Sequence, residues 1–425
     1  MTLGGKQEAL ILFLGDLVFF TLALWLTLAV RYFDWPSLEL FLTHFWPFII
    51  IFLIWTLVFF ISDLYRKQTL VFESALPATI WRAQIINSLL AGVFFYFIPY
   101  FRVIGFAPRF NLLLDLLFSF VLVLLWRQYG ARLVYRPAPL NVMFDCVGGE
   151  VAELKRALTG QASYRWRLVT DQPSLIVYDK YQTDAPTKLT DFYRLLFKGV
   201  GFIGVQDLYE EVFGRVPLSL INEHWFLEKV SNQPKPLYDL AKRLMDLVVG
   251  LILGLGSLAL YPVICLAIKL EDHGPIFYVD ERIGRNDRPI KIYKFRSMSL
   301  EAELSARRPT SVGQFLRRTR LDELPQLWSV VSGAQSLVGP RPEKSDYVKL
   351  YREEVPFYDV RHLIAPGLSG WAQIYQPDHP HFTTSAAATR EKLSYDLYYV
   401  KNRSLWLDIT IGLKTVKALL SRTGI

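Results

Sequence analysis

The chain has 425 residues, 52% of them hydrophobic and 15% aromatic, and 47 lysines and arginines against 39 acids give a formal charge of +8. That apolar share excludes an ordinary soluble protein of this size, and the length suits two or three domains. The basic balance fits an anionic membrane surface and phosphate-bearing substrates, whereas no zinc-finger spacing or RNA-binding signature supports nucleic acid as a partner.

Four apolar segments come first, approximately Ala9–Val30, Phe45–Ile61, Ile85–Phe101 and Phe110–Trp126. The last three are short for a crossing helix but within the usual range of ~17–25 residues. With the N-terminus inside, the inner segments carry Lys6, Arg66, Lys67, Arg82, Arg127, Arg132 and Arg136, and the outer ones only Arg31, Arg102 and Arg109. The excess of inner positive charge predicts a cytoplasmic N-terminus and cytoplasmic delivery of everything after Trp126. Asp16 and Asp115 are costly inside spans and should face the bundle interior or a partner; a transport role is the competing reading. From Asn141 to about Val230 the pattern turns globular. Strands are expected at Asn141–Cys146, Leu175–Tyr178 and Val200–Val205, with helices at Val151–Leu158, Phe192–Leu196 and Leu208–Phe213. Strands alternating with helices predict a small parallel α/β domain. Gly148-Gly149 lacks the third glycine of a dinucleotide-binding turn, which favours a structural or regulatory role. Ser231–Pro236 reads as a linker. Cys146 and Cys265 are the only cysteines, far apart, and imply neither a disulfide framework nor a metal site.

The apolar run Leu247–Ile268 is long enough for a fifth span. Lys242-Arg243 before it and Lys269 after it both favour the cytoplasmic side. Pro262 interrupts it, with Gly250, Gly254 and Gly256 upstream, so the helix can bend where a backbone hydrogen bond is lost. A re-entrant helix over about 240–270, kinked near Pro262, satisfies these facts better than a crossing. Next, Ile276–Val279 and Ile290–Tyr293 read as paired strands, with Lys294 and Arg296 emerging at the end. Asp322-Glu323 follows Arg317, Arg318 and Arg320 and precedes Pro325, which suits the first turn of a helix running through Trp328 and Val331. The two carboxylates would then sit at a helix N-terminus, either as a structural cap or as a nucleophile and a metal ligand among cations. Gly339-Pro340-Arg341-Pro342 would present one guanidinium able to grip a phosphate. Gly367 and Gly370 permit a tight turn that serves architecture or substrate. His379 and His381, flanking Pro380, are expected to be exposed rather than metal-binding. Ser404–Leu420 reads as an amphipathic helix on the membrane surface, with Asp408, Lys414 and Lys417 on its polar side.

Six of these stretches stand in one order: Lys242-Arg243-Leu244-Met245-Asp246, Lys291–Met298, Leu321-Asp322-Glu323-Leu324-Pro325-Gln326-Leu327, Leu337–Pro342, Pro366–Gln373 and Tyr395–Asn402. From roughly Pro236 to Ala418 the series resembles the monotopic phosphoglycosyl transferases, also called bacterial sugar transferases, in their large multidomain branch. The resemblance implies a membrane α plus α/β protein. Residues 1–138 would be a four-helix transmembrane region and 139–230 a Rossmann-like α/β domain. Residues 236–425 would be a mainly α catalytic domain with the re-entrant helix and a β-hairpin.

The implied reaction moves a sugar 1-phosphate from a UDP-sugar to undecaprenyl (polyprenyl) phosphate through a phosphosugar-aspartate on Asp322, releasing UMP. Glu323 would help hold Mg²⁺, and Lys294, Arg296, Arg320, Arg341 and Asp396 would bind or organise the substrate. The setting would be the bacterial inner membrane, with the catalytic domain cytoplasmic, in contact with membrane lipid and as a homodimer. Three residues depart from the family pattern. Ala334 stands where an Asp is usual before Leu-Val-Gly-Pro-Arg-Pro, and Arg320 where a small hydroxyl residue is common. Tyr261 also replaces the usual Ser before the kink proline. A catalytically inactive scaffold is the alternative reading.

Overall fold

The computed structural model describes residues 5–65, 76–97, 108–130, 140–159, 166–181, 192–230, 235–300, 308–376 and 385–421. It divides into two compact units, Met1–Phe213 and Gly214–Ile425.

In the first unit, four apolar helices run α1 (Gly5–Tyr32), α2 (Leu38–Ile61), α3 (Leu76–Phe97) and α4 (Pro108–Leu125), each holding a stretch long and apolar enough to cross a membrane. Ser37 starts α2 by accepting from Leu40 N–H at 3.2 Å. The third helix begins nine residues before the expected Ile85, because its first turns carry polar residues that hide its start from hydropathy. Phe20, Phe48, Phe52, Trp55 and Phe59 fill the centre of the bundle. Asp16 is fully buried and accepts from Arg127 Nε at 3.1 Å and Tyr65 O–H at 2.8 Å, while Arg127 Nη1 donates to Leu64 C=O at 2.7 Å. Asp115 is equally buried. Both acids therefore face inward, as their cost in lipid requires.

A four-stranded parallel sheet follows, in the order β2-β1-β3-β4, built from β1 (Leu140–Asp145), β2 (Trp166–Leu168), β3 (Leu175–Tyr178) and β4 (Gly201–Gly204). Val142 pairs with Leu175 and Val177 with Ile203. Helices α5 (Gly149–Thr159) and α6 (Val205–Phe213) bury Val151, Leu154, Leu158, Val205 and Leu208; they follow β1 and β4, while β2 passes to β3 through a short non-helical segment. The three-residue β2, with two of its residues exposed, gives no apolar signal in the sequence.

The second unit begins earlier than the linker suggests. Residues 214–230 join it because Val216 N–H donates to Ser394 C=O at 3.0 Å and Trp371 Nε1–H to Gly214 C=O at 2.7 Å. Of the expected Ser231–Pro236 linker, residues 231–234 lie outside the described residues and Pro236 already belongs to a helix. Helix α7 (Pro236–Ser257) starts on Pro236, a tolerated first-turn proline. It gives way to a 3-10 turn at Leu258–Leu260 and then to α8 (Tyr261–Asp272), with Pro262 in the first turn. Both arms pack against the same unit. Gly250 lies against Val330 and Val331, and Gly254 against Trp328. Beyond the break, Ile264 and Ile268 pack with Phe295 and Leu316.

Strands β5 (Phe277–Ile283) and β6 (Pro289–Phe295) form the expected antiparallel hairpin, longer than the apolar pattern suggests. Helix α9 (Ser311–Thr319) ends at Arg320, which is left-handed at φ 57°, and α10 spans Gln326–Ser332. Short parallel strands β7 (Ser336–Val338) and β8 (Gly367–Ser369) touch so closely that a Cβ on Gly367 would lie 2.1 Å from Gly339 N. Gly367 thus serves backbone approach rather than a tight turn. His379 and His381 lie outside the described residues.

The last long helices are α11 (Ala386–Asn402) and α12 (Leu405–Ser421). Helix α12 is amphipathic in the reverse sense from expectation. Asp408 and Lys414 are buried, Asp408 accepting from Tyr399 O–H at 2.6 Å and Lys414 donating to Tyr375 Oη at 2.7 Å. Trp406, Ile409, Val416 and Leu419 face outward. Internal partners offset the cost of burying those charges.

Candidate active site

The left-handed turn at Arg320 separates α9 from a 3-10 turn at Leu321–Glu323, which carries the acidic pair. Pro325 caps α10 instead of opening it. The carboxylates therefore lie one turn ahead of the helix, not within its first turn. The tight turn sends the two neighbouring side chains into different surroundings.

Glu323 Oε1 collects three cations. Lys294 Nζ donates at 2.9 Å, Arg341 Nη2 donates at 3.1 Å and Arg320 Nη1 lies at 3.8 Å. Burial would raise this carboxyl's pKa, but Arg341, Lys294 and Arg320 hold it far below the ordinary range. Asp322 is 7% exposed, and its Oδ1 is buried with no hydrogen-bond partner. Burial, then the neighbouring Glu323 charge, push its pKa up, against the pull of Lys294, Arg320 and Arg317. One carboxylate is thus an anion locked to cations, and the other has an oxygen buried without a hydrogen-bond partner. Carboxylates in unlike environments divide acid, base and nucleophile roles in this way.

Arg341 comes from the loop after β7, and several contacts fix that loop. Arg361 Nη2 donates to Arg341 C=O at 2.8 Å, while Arg361 itself is held by Asp396 Oδ2, with Nε at 3.0 Å and Nη2 at 2.8 Å. Asp396 therefore reaches Glu323 only through Arg361 and Arg341, three contacts away. The hairpin is tied to the same loop through Arg282 Nη1–H to Pro342 C=O at 3.1 Å and Ile283 N–H to Glu343 C=O at 2.9 Å. Asp246 of α7 accepts from Ser336 Oγ–H at 2.7 Å and Leu337 N–H at 3.2 Å. It ties α7 to the strand just beyond Ala334.

The structure thus brings Lys294, Arg320, Arg341, Asp322 and Glu323 together. Arg296 is the exception. It is 8% exposed, forks onto both oxygens of Asp272, and donates through Nε to Pro275 C=O at 2.7 Å. It clamps the end of α8 to β6 and is not turned to the acidic pair. Its alternation along the strand explains this, since neighbours two apart share a face only while the strand runs straight, and the strand ends at Phe295. Arg317 likewise turns to Met298 Sδ, at 3.0 Å. The sequence reading missed Arg361, a lone basic residue outside any stretch of the ordered series.

Carboxylate oxygens are the hard donors that Mg²⁺ takes. The cation contacts of Glu323 all converge on Oε1, which leaves Oε2 outside them. Asp322 Oδ1 is likewise without a hydrogen-bond partner, so the two acids offer oxygen donors of the kind such an ion takes.

The sequence model of the bacterial sugar transferase family matches residues 237–422. The chain is 32% identical over 358 residues to a UDP-N-acetylgalactosamine-undecaprenyl-phosphate N-acetylgalactosaminephosphotransferase of Aeromonas hydrophila, covering 80% of this chain and 78% of that one. It is 37% identical over 215 residues to a UDP-glucose:undecaprenyl-phosphate glucose-1-phosphate transferase of Escherichia coli K12, covering 45% of each. An uncharacterized sugar transferase of Bacillus subtilis is 35% identical over 190 residues, which cover 43% of this chain and 89% of that protein.

Proposed function

This chain belongs to the bacterial sugar transferase family, and on that footing we propose that it transfers a sugar 1-phosphate from a UDP-sugar to undecaprenyl phosphate. The observation that carries the site assignment is the division within the acidic pair: Glu323 is held by three cations, and Asp322 Oδ1 is buried without a partner. Asp322 attacks the β-phosphorus of the UDP-sugar. A bond from its carboxylate oxygen to phosphorus forms as the bond from that phosphorus to the bridging oxygen breaks, and UMP leaves with the electron pair. An oxygen of the carrier phosphate then attacks the same phosphorus, and Asp322 departs as a carboxylate. Two half-reactions spare the site from holding a soluble and a lipid substrate together.

Lys294, Arg320 and Arg341 bind phosphate oxygens, and their shared contact with Glu323 keeps three like charges together before substrate arrives. Glu323 would hold Mg²⁺, which when bound offsets phosphate charge. Arg361 and Asp396 orient Arg341. The carrier approaches along α7 and α8, which dip into one leaflet from the cytoplasmic face. What supports that reading is the break at Leu258–Leu260, Pro262 just after it, and the packing of both arms on one unit. Cysteines placed beside Lys242 and Lys269 should both label from the cytoplasmic side, and labelling on opposite faces would mean a crossing. A homodimer is the assembly we expect.

The deciding experiment is brief exposure of the purified membrane protein to UDP-N-acetylgalactosamine, UDP-glucose and related UDP-sugars without lipid acceptor, followed by mass spectrometry. A phosphosugar on Asp322, absent from Asp322→Asn, is the expected result. An adduct on another residue, or full transfer by Asp322→Asn, would overturn the assignment.

A further inference from the structure

On the far side of the hairpin, three side chains that play no part in the reaction meet. Asp287 lies in the 3-10 turn Arg285–Asp287 between β5 and β6, and Asp359 and His362 lie in the 3-10 turn Tyr358–Leu363. One ligand atom from each falls within 4.8 Å of the others. His362 Nδ1 is 2.7 Å from Asp287 Oδ1 and 3.9 Å from Asp359 Oδ1. The imidazole is 8% exposed, and its Nδ1 is buried with no aligned hydrogen-bond partner although it sits between two carboxylates.

Besides Arg361, whose charge reaches the imidazole, the charged group facing the cluster is Arg352. Its Nη2 is 2.7 Å from Asp287 Oδ1, and its Nε donates to Asp359 Oδ1. Arg361, next to His362 in sequence, is turned away to Asp396. Arg352 has a side chain 37% exposed, so it can swing into water at little cost. We propose that Asp287, Asp359 and His362 form a binding site for a divalent transition-metal cation that takes the place of Arg352. One imidazole nitrogen with two carboxylate oxygens is a zinc-type donor set, whereas Mg²⁺ prefers oxygen alone. Bonds of ~2.0–2.2 Å would draw the three ligand atoms to similar spacings around one centre. The Asp287 oxygen would retreat slightly from Nδ1 and that of Asp359 would approach, and both aspartates are about half exposed and free to adjust. The ion would tie the hairpin turn to the segment bearing Arg361, which holds the Arg341 carbonyl. The site does not depend on the reaction assigned to Asp322.

The test uses the full chain in detergent, stripped with a chelator, and Zn²⁺ as the probe, with bound metal measured by equilibrium dialysis and elemental analysis. Wild type should take one ion per chain. Asp287→Asn and Asp359→Asn, both at exposed positions, should each weaken binding at least about tenfold, and His362→Gln should abolish it. Arg352→Gln should tighten it, because the competing cation is gone. Asp322→Asn should leave it unchanged, which separates this ion from any held at the acidic pair. Failure of wild type to bind, indifference to Asp287→Asn and Asp359→Asn, or weaker binding by Arg352→Gln would each overturn the proposal.

Discussion

Neutralising the two adjacent acids should shift stability in opposite directions. Glu323→Gln removes a charge whose Oε1 lies 2.9 Å, 3.1 Å and 3.8 Å from three cations. Breaking a fully buried ion pair costs ~3–5 kcal/mol and an exposed one ~0–1 kcal/mol. These side chains expose between 16% and 33% of their surface, so an intermediate loss of about 2–3 kcal/mol is expected. Asp322→Asn instead removes a buried carboxylate with no partner at Oδ1, and relief of that desolvation should stabilise by about 1 kcal/mol. A group whose pKa is raised on folding holds its proton more tightly when folded. The Asp322→Asn gain should therefore be full above the raised value and vanish below the ordinary 3.8. Thermal melts in lipid nanodiscs provide the assay, reading the transition of the Gly214–Ile425 unit by limited proteolysis. At ~2–4 °C per kcal/mol for a unit of this size, Glu323→Gln should melt roughly 4–12 °C lower, and Asp322→Asn a few degrees higher (~2–4 °C) though devoid of transfer. Shifts of the same sign would refute the division of labour drawn from these contacts.

Arg341→Ala should weaken UDP-sugar binding by ~1.5–3 kcal/mol through loss of a charge-assisted hydrogen bond, measured as a raised KM, and an unchanged KM would remove Arg341 from the phosphate site. Gly367→Ala sets a Cβ 2.1 Å from Gly339 N, so the catalytic unit should lose several kcal/mol (~2–4) or fail to fold. Near-native melting of that variant would show the β7–β8 contact to be looser than described. Burial would raise the Glu343 carboxyl, but Lys392, Arg361 and Arg282 bring it down to about 2 from 4.5. A depressed acid stabilises above its unfolded pKa, so about 3 kcal/mol should drain away as pH falls from 4.5 towards 2. Glu343→Gln should flatten that acid limb, and an unaltered limb would assign it to other carboxylates.

The meeting of Glu323 with Lys294 and Arg341 is legible in the sequence because each lies in a short stretch whose chemistry is local: a turn, a strand end, a proline-fixed loop. The place of Arg296 is not legible locally, because its partner Asp272 lies 24 residues away, at the end of a helix whose direction the sequence does not state. The polar residues of Leu405–Ser421 suggested a wetted face, and only tertiary packing reveals Tyr399 and Tyr375 as their partners. The start of the second unit was hidden for a similar reason. Gly214 and Val216 are joined to Trp371 and Ser394 by backbone groups that every residue possesses. The tie between Asp246 and the strand at Ser336 and Leu337 spans about 90 residues, and no local reading detects it.

The inside-out character of the last helix bears on how this protein can be handled. With Asp408 and Lys414 consumed internally, its outer surface offers Trp406, Ile409, Val416 and Leu419. Helix α7 likewise shows Leu240, Leu244, Val248 and Ile252. Excising the first 213 residues would therefore not yield a water-soluble enzyme. The severed unit would keep greasy flanks near both of its ends and sediment with lipid, staying within reach of any substrate that cannot leave the bilayer.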